Sequence, residues 1–205
     1  MLIKTLVVGQ IETNCYIVMD ENTLQCAVID PGDESNTIMD YLEDRHLKAK
    51  YIFLTHGHFD HTMAVEAVKE QTGATVCMNK KDANVAIGGG AYKFEPPADT
   101  VWYKDGDEFS VGGLTFQVLE TPGHTPGGVC LICENAIFSG DTLFRESCGR
   151  TDLPGGDMAV LLHSLKRLYD LPGDYEVYPG HMEATTLQRE RIFNYYMKYA
   201  LEVCQ

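Results

Sequence analysis

The stretch that most constrains this chain is Thr55-His56-Gly57-His58-Phe59-Asp60-His61, which places three imidazoles and a carboxylate side by side. The run before it, Tyr51 to Leu54, is short, aromatic and bulky, which is typical of a buried strand. The run after it, Thr62 to Lys69, has apolar residues at helical spacing. The cluster is therefore predicted to lie in a strand-to-helix loop, where open α/β sheets usually bind their ligands.

The cluster has the composition of a metal site, because imidazole and carboxylate groups are ligands that zinc, iron and manganese accept. His56 and His58 are two residues apart and can point the same way from an extended loop, while Asp60 and His61 follow where the helix starts. This spacing differs from the HExxH helix of metalloproteases, which supplies both histidines from one helical face. A single histidine here would suit a cap or a packed polar group, whereas three so close together favour metal binding.

Length and charge limit the kinds of partner this chain can have. Its 205 residues suit one domain with a sizeable interior. The formal net charge is -14, and the Lys and Arg residues form no basic stripe, so nucleic acid and anionic membrane surfaces are not expected as partners. A signal peptide and an apolar run of membrane-spanning length are not expected either. A small-molecule substrate is what the family resemblance given below implies, and the sequence leaves the oligomeric state open.

The seven cysteines are odd in number, scattered and mostly inside apolar runs, as expected for reduced thiols of a cytoplasmic protein. Cys130 and Cys133 form a CxxC motif within a strand-like run. Side chains three apart on a strand point to opposite faces, so these two thiols are predicted to fill the core rather than share a metal or a disulfide.

The rest of the chain reads as two similar halves, each with strands, a helical segment and polar residues on the loops that follow strands. An antiparallel hairpin is predicted near the start, an amphipathic helix from Asp157 to Tyr169 with Asp157 as its cap, and a terminal helix from Thr185 to Val203. The stretch from Lys80 to Thr100 is predicted to be a long loop with a helical turn at Lys81 to Val85. This order favours two packed sheets with helices outside and a site along one edge.

Five of the seven histidines fall on predicted strand-end loops, whereas His46 and His163 fall in predicted helices. Asp141 follows another strand, in the glycine-containing junction Ser139-Gly140-Asp141. Because strand ends that meet at one edge bring their loops together, we expect these residues to form one site. The five histidines are His56, His58, His61, His124 and His181.

These residues resemble the motifs of the metallo-β-lactamase fold hydrolases, in the expected order along most of the chain. The resemblance implies that residues 1–205 form a single metallo-β-lactamase-like hydrolase domain, an αββα sandwich of two mixed sheets with helices on the outside. It implies two divalent metal ions, most simply Zn²⁺, with Fe or Mn as alternatives. It further implies that a hydroxide bridging the metals attacks the substrate and that Asp60 orients it as a catalytic residue. The implied ligands of one metal are His56, His58 and His124, those of the other are Asp60, His61 and His181, and Asp141 bridges both.

Within this family the chain is most similar to glyoxalase II-like thioesterases, of the short hydroxyacylglutathione hydrolase type. The resemblance implies hydrolysis of an S-2-hydroxyacyl thioester such as S-lactoylglutathione, and it rests on Thr13 to Tyr16 and on Phe144 to Gly156. Where larger members carry Cys-Gly-Lys, this chain has Cys148-Gly149-Arg150. Arg150 is thus a candidate for binding a substrate carboxylate, with pairing to a nearby aspartate of its own loop as the equal alternative.

The chain also departs from the larger thioesterases, because it has only one predicted helix after His181 and no tyrosine directly after that residue. Glutathione specificity is therefore not implied, and another low-molecular-weight thiol suits the sequence equally well. Two other functions stay open: a persulfide dioxygenase with a single iron, and a metal-binding module without enzymatic activity on the same fold.

Overall fold

The computed structural model of the protein describes residues 1–83 and 94–204. A first sheet of six strands has the order β1-β2-β3-β4-β5-β6. The pairs from β1 to β3 are antiparallel, as the predicted hairpin requires, and the pairs from β3 to β6 are parallel. The strands are β1 (Leu2–Val8), β2 (Thr13–Met19), β3 (Gln25–Ile29), β4 (Lys48–Phe53), β5 (Thr75–Asn79) and β6 (Val101–Tyr103).

A second sheet of six strands has the order β14-β13-β10-β9-β8-β7. Its pairs are antiparallel except for β10 with β13, so both sheets are mixed. A separate two-stranded hairpin joins β11 (Leu143–Phe144) and β12 (Ser147–Cys148). The strands of the second sheet are β7 (Glu108–Val111), β8 (Leu114–Glu120), β9 (Val129–Cys133), β10 (Ala136–Gly140), β13 (Glu176–Pro179) and β14 (Thr185–Thr186).

Six α-helices and one short 3₁₀ turn, Lys80–Asp82, complete the described part of the chain. None of the helices in residues 1–83 and 94–204 has the length and apolar character needed to cross a bilayer. The α-helices are α1 (Ser35–Asp44), α2 (Phe59–Thr62), α3 (Val65–Thr72), α4 (Met158–Tyr169), α5 (Leu187–Phe193) and α6 (Tyr195–Val203).

The apolar side chains form three layers, and strand β2 shows how the sequence builds them. Cys15 and Ile17 pack with α1 and α3 on the outside of the first sheet, while Tyr16 and Val18 pack between the two sheets. A third layer lies between the second sheet and helices α4 and α6. This alternation has the two-residue period of a pleated strand, and it confirms the predicted αββα sandwich.

The CxxC motif follows the same rule. Cys130 packs in the layer under α4, and Cys133 packs between the sheets. Both thiols are buried and free. The prediction that they point to opposite faces of one strand is confirmed.

The helix bounds differ from the predictions in several places. The terminal helical region begins at Leu187 and not at Thr185, because Thr185–Thr186 form strand β14. His46, which was predicted to lie in a helix, follows the end of α1.

The predicted helix from Thr62 to Lys69 is divided into α2 and α3, because Met63 and Ala64 interrupt it. The predicted terminal helix is divided at Asn194, whose backbone is extended and whose side chain caps α6 by accepting hydrogen bonds from Tyr196 and Met197. Asn offers this local capping bond in place of continuing a helix, which periodicity alone does not reveal.

Two further local predictions have different outcomes. Asp157 caps α4 as predicted, since its carboxylate accepts a hydrogen bond from the backbone N–H of Val160. The helical turn predicted at Lys81 to Val85 is a 3₁₀ turn at Lys80–Asp82. Residues 84–93, which make up half of the predicted loop from Lys80 to Thr100, lie outside the described residues.

Candidate metal centre

The loops that follow β4, β8, β10 and β13 meet at one edge of the sandwich and bring the predicted ligand residues together. Two groups form there, and in each group the ligand atoms lie within 4.8 Å of one another. The histidine trio consists of His56, His58 and His124. The mixed trio consists of Asp60, His61 and His181.

Asp141 lies between the two trios. Its Oδ2 is 3.4 Å from His124 Nε2 in the histidine trio, and its Oδ1 is 3.5 Å from His61 Nε2 in the mixed trio. Oδ2 is also 3.6 Å from His181 Nε2. One carboxylate thus reaches both groups, as a residue that bridges two metals must.

The backbone around Asp141 leaves no room for other side chains. A Cβ on Gly180 would lie 2.2 Å from Asp141 Oδ1 and 2.8 Å from His61 Cε1. Such distances are shorter than atoms tolerate, so only glycine lets this strand end approach the carboxylate. The glycine in the motif Pro179-Gly180-His181 is therefore required by the site itself.

Four of the five imidazoles are oriented by a hydrogen bond at Nδ1. His124 Nδ1 is 2.7 Å from the carbonyl oxygen of Arg150, and His181 Nδ1 is 3.1 Å from that of Ile11. His61 Nδ1 is 2.9 Å from Asp30 Oδ2, and His56 Nδ1 is 3.1 Å from the Thr55 hydroxyl. Since these partners accept a proton from Nδ1, they leave Nε2 as the nitrogen available to a metal.

His58 differs from the other four rings. Its Nδ1 is 2.8 Å from His124 Nε2, so its δ nitrogen faces the shared space of the histidine trio. A cation bound between these two nitrogens would remove the repulsion between their lone pairs. The close approach of the two rings therefore suits a metal position in the histidine trio.

Asp30 supports both trios and was not identified from the sequence. Its carboxylate accepts hydrogen bonds from the Thr55 backbone N–H at 2.7 Å and the Thr55 hydroxyl at 2.6 Å, as well as pairing with His61. Asp30, His56 and His61 also form a third group close enough to hold an ion. Because both Asp30 oxygens are already occupied by these bonds, we assign it to orienting His61 directly and His56 through Thr55. The sequence signal was available: Asp30 directly follows the apolar strand β3, as the other site residues follow theirs.

Asp82 is a second residue that the sequence did not single out. Its buried carboxylate accepts hydrogen bonds from the backbone N–H groups of Gly57 at 3.0 Å and Gly127 at 2.6 Å, and from the Thr125 hydroxyl at 2.7 Å. These bonds tie the loop that carries His56 and His58 to the loop that carries His124. Nothing in the local sequence marks this role, because the partners come from distant segments.

In the described part of the chain, several buried side-chain atoms at this site have no hydrogen-bond partner, although buried polar groups nearly always have one. These atoms are His56 Nε2, His58 Nε2, His61 Nε2 and Asp141 Oδ1. His58 faces the histidine trio with Nδ1, so its Nε2 is not counted as a ligand atom. The other three are imidazole and carboxylate atoms that a metal ion would satisfy, so the residues fit divalent metals.

The pKa values of several imidazoles are shifted, and the direction of the shift differs between the two trios. Burial lowers the pKa of His56 well below its usual range, and the neighbouring imidazoles lower it further. The same causes, with burial the largest, lower the pKa of His58 to about 3. Burial also acts to lower the pKa of His61, but the Asp141 and Asp30 carboxylates outweigh it and hold that pKa well above its usual range.

The other two members of the mixed trio are shifted by each other. Burial opposes charge on His181, but its hydrogen bond to Asp60 and the nearby Asp141 raise its pKa. Burial likewise favours the neutral form of Asp60, but the neighbouring imidazoles of His181 and His61 lower the pKa of this carboxyl far below its usual range. Without a metal, protons on the imidazoles would therefore supply the positive charge that these carboxylates require.

Arg150 reaches the site through its backbone. Its carbonyl oxygen accepts the hydrogen bond from His124, while its guanidinium donates two hydrogen bonds to Asp152, at 2.7 and 2.6 Å. This arrangement is the local pairing that the sequence left as an alternative. A role for Arg150 in substrate binding stays a prediction.

The profile of the metallo-beta-lactamase superfamily matches residues 8–181. The chain belongs to this superfamily. An uncharacterized protein of Aquifex aeolicus is 41% identical, over 95% of this chain and 96% of its own length. Another superfamily relative is the hydroxyacylglutathione hydrolase GloC of Haemophilus influenzae, which is 32% identical over 95% of this chain and 97% of its own length.

Solved structures show the same fold. BLEG-1, described as a B3 metallo-beta-lactamase, superposes with a TM-score of 0.87 at 32% identity, covering 96% of this chain and 99% of its own. ETHE1 from Myxococcus xanthus has a TM-score of 0.82 at 30% identity, with coverage of 100% and 92%. TTHA1623 in a di-iron-bound form has a TM-score of 0.82 at 36% identity, with coverage of 94% and 99%.

Proposed function

We propose that this superfamily member is a metal-dependent hydrolase with two metal ions that cleaves S-2-hydroxyacyl thioesters. The observation that carries the proposal is the position of Asp141 between two complete ligand groups. The similarity to the hydroxyacylglutathione hydrolase GloC supports the thioester class. The di-iron form of TTHA1623 supports two metals in this fold, while zinc as the ion used by this chain is part of the proposal.

The histidine trio would hold one metal, the mixed trio would hold the other, and Asp141 would contact both. When bound, such a pair of metals lowers the pKa of water and polarises a carbonyl oxygen, which supplies a nucleophile without Ser or Cys. The chain's own contribution is to fix the ligands before substrate arrives, through Asp30, Thr55 and the carbonyl groups of Ile11 and Arg150.

Asp60 would orient the attacking water in addition to its role as a ligand. Its Oδ2 is 3.2 Å from the Thr13 hydroxyl, which donates a hydrogen bond, and 3.2 Å from His181 Nε2. Because its pKa lies far below the usual range, the carboxylate is ionised at neutral pH and can orient water by accepting a hydrogen bond from it. In the proposed reaction, water adds to the thioester carbonyl carbon, the C–S bond breaks, and the thiol leaves with a proton.

A persulfide dioxygenase with one iron is the second candidate. The mixed trio favours it, because two imidazoles and one carboxylate form the facial triad of many non-haem iron oxygenases. The complete histidine trio beside it, with the unpartnered Nε2 of His56, favours two metals instead. The third candidate is a metal-binding module without enzymatic activity, which an experiment must distinguish from the hydrolase and the dioxygenase.

The test is the metal content of the purified protein together with thiol release from S-lactoylglutathione and a panel of other thioesters. Two metals per chain with thiol release is the expected result. One iron with oxygen uptake on a persulfide would replace the proposal with the dioxygenase. Two metals without release from any thioester would contradict the thioester class and lead to esters and lactams.

Two histidine variants, one inside the site and one outside it, test the assignment of the metal centre. His58→Ala should lower metal content and thiol release together, because His58 belongs to the histidine trio. His163→Ala makes the same change on the exposed face of α4 and should alter neither. Unchanged metal content in His58→Ala would contradict the assignment of the site.

A further inference from the structure

Two cavities open in front of the metal trios. The first, which we call the mouth, has a volume of about 480 Å³ and is lined by Phe144, Met182 and residues of both trios. The second, which we call the side cleft, has a volume of about 340 Å³ and is lined by Val8 and Met63 among others. Ile11, Phe59 and Asp60 line both, so the side cleft adjoins the mouth at the mixed trio. A substrate whose reacting carbonyl lies at the trios has room to extend into the side cleft.

Several apolar residues that line one or both of the cavities are open to solvent. Ile11 is 51% exposed, Met63 is 47% exposed and Met182 is 55% exposed. Single exposed apolar residues are common on any protein, but several around one opening are typical of a ligand-binding surface. These side chains gain free energy when an apolar ligand covers them.

The charges around the cavities oppose an anionic ligand. Among the described residues that line them, Arg150 is the one Lys or Arg; it lines the mouth and not the side cleft, and one edge of its guanidinium is bonded to Asp152. The side cleft instead contains the carboxylates of Asp33 and Asp60. A thioester arm with carboxylates, such as glutathione, would lose hydration there without gaining a free cationic partner.

We propose that one arm of the thioester is apolar and uncharged and lies in the side cleft against Ile11, Phe59 and Met63. This inference rests on the proposed function and narrows it to neutral acyl or thiol groups rather than glutathione. Either the acyl group or the thiol group of the thioester can be this apolar arm. The experiment determines which of the two occupies the side cleft.

The kinetic test uses two series of thioesters. In one, lactoyl thioesters of alkanethiols have a growing thiol arm; in the other, 2-hydroxyalkanoyl thioesters of methanethiol have a growing acyl arm. The series that uses the side cleft should gain about threefold to fourfold in kcat/KM per methylene until the cleft is filled. S-lactoylglutathione and S-lactoylthiocholine provide an anionic and a cationic arm for comparison.

A binding test separates the cleft from the chemistry. Alkyl thioethers, in which a methylene replaces the scissile carbonyl, cannot be hydrolysed, so calorimetric titration measures only their binding to the purified protein. Met63→Ser should abolish most of the gain with chain length, at unchanged metal content. Val7→Ser removes a side chain that is 58% exposed on the neighbouring strand and lines neither cavity, so it should keep the gain.

The outcomes are distinguishable. Thiol release that is fastest with S-lactoylglutathione or S-lactoylthiocholine, and unaffected by Met63→Ser, would overturn this inference and leave the proposed function intact. Thioether affinity that does not rise with chain length would also overturn it. Thioether binding that depends on Met63, without hydrolysis of any thioester, would support the apolar cleft and contradict the proposed function.

Discussion

The histidine trio and the mixed trio lie on either side of Asp141, but they are built from different chemistry. Burial and mutual repulsion hold the pKa values of His56 and His58 below the usual range, so these ligands are unprotonated and ready for a metal at neutral pH. Carboxylates hold the pKa values of His61 and His181 above the usual range, so a metal must displace protons there. The difference shows that neighbouring ligand groups on one sheet edge can have different affinities for the same ion.

Asp141→Ala tests what the two trios share and should have the largest effect. Losing an orienting partner of a ligand typically costs about 10-fold to 100-fold, and losing the carboxylate that is proposed to contact both metals should cost more than that in activity. Metal content measured beside thiol release should fall for both positions. A variant that keeps both metals would show that the trios hold their ions independently of Asp141.

Asp30→Asn tests whether one carboxylate supports both trios. The amide has one acceptor oxygen in place of two, so it cannot accept from the Thr55 backbone N–H as well as from the Thr55 hydroxyl and His61. Metal affinity should therefore fall by about 10-fold to 100-fold. Competition with a chelator measures this loss, and Asp33→Asn on the neighbouring surface is the matched control. A loss confined to one of the two metals would show that Asp30 orients only one trio.

Acidification should separate the trios. His61 and His181 have raised pKa values, so as the pH falls they regain protons before His56 and His58 do. The mixed trio should therefore release its metal at a higher pH than the histidine trio, with affinity changing up to about tenfold per pH unit for each proton. Metal content after equilibration between pH 8 and pH 4 should fall in two steps, and a single step would contradict the comparison.

Arg150→Ala should have the smallest effect, because the guanidinium is exposed and paired with Asp152. If Arg150 binds substrate, KM should rise by less than about tenfold while kcat changes little. Arg145→Ala, which removes an exposed pair with Glu183, is the control. An unchanged KM in Arg150→Ala would assign the side chain to holding its own loop.

The sandwich and the ligand cluster could be predicted because both leave local patterns. Alternation of apolar residues marked the strands, and His and Asp residues at strand ends marked the site edge, as His124 and Asp141 illustrate. Single-domain organisation and cytoplasmic location stay predictions.

The features that were missed depend on contacts between distant segments. The Asp82 carboxylate accepts hydrogen bonds from Gly57 and Gly127, which are 25 and 45 residues away along the chain. The pairing of Arg150 with Asp152 could be named from the sequence only as one of two alternatives, because periodicity does not determine which way an exposed side chain turns. The break at Asn194 likewise depends on a capping bond that competes with the helix.

The shared carboxylate of Asp30 limits how this site can be redesigned. An engineer who wants a single-metal enzyme would remove the mixed trio and expect the histidine trio to remain intact. Asp30 would have to stay even so, because through Thr55 it also fixes the ring of His56. Its backbone has a positive φ of 50°, which non-glycine residues adopt rarely, so the sandwich accommodates an uncommon backbone conformation to place this one side chain. A redesigned chain that keeps only the histidine trio must therefore still accommodate Asp30 in this backbone conformation.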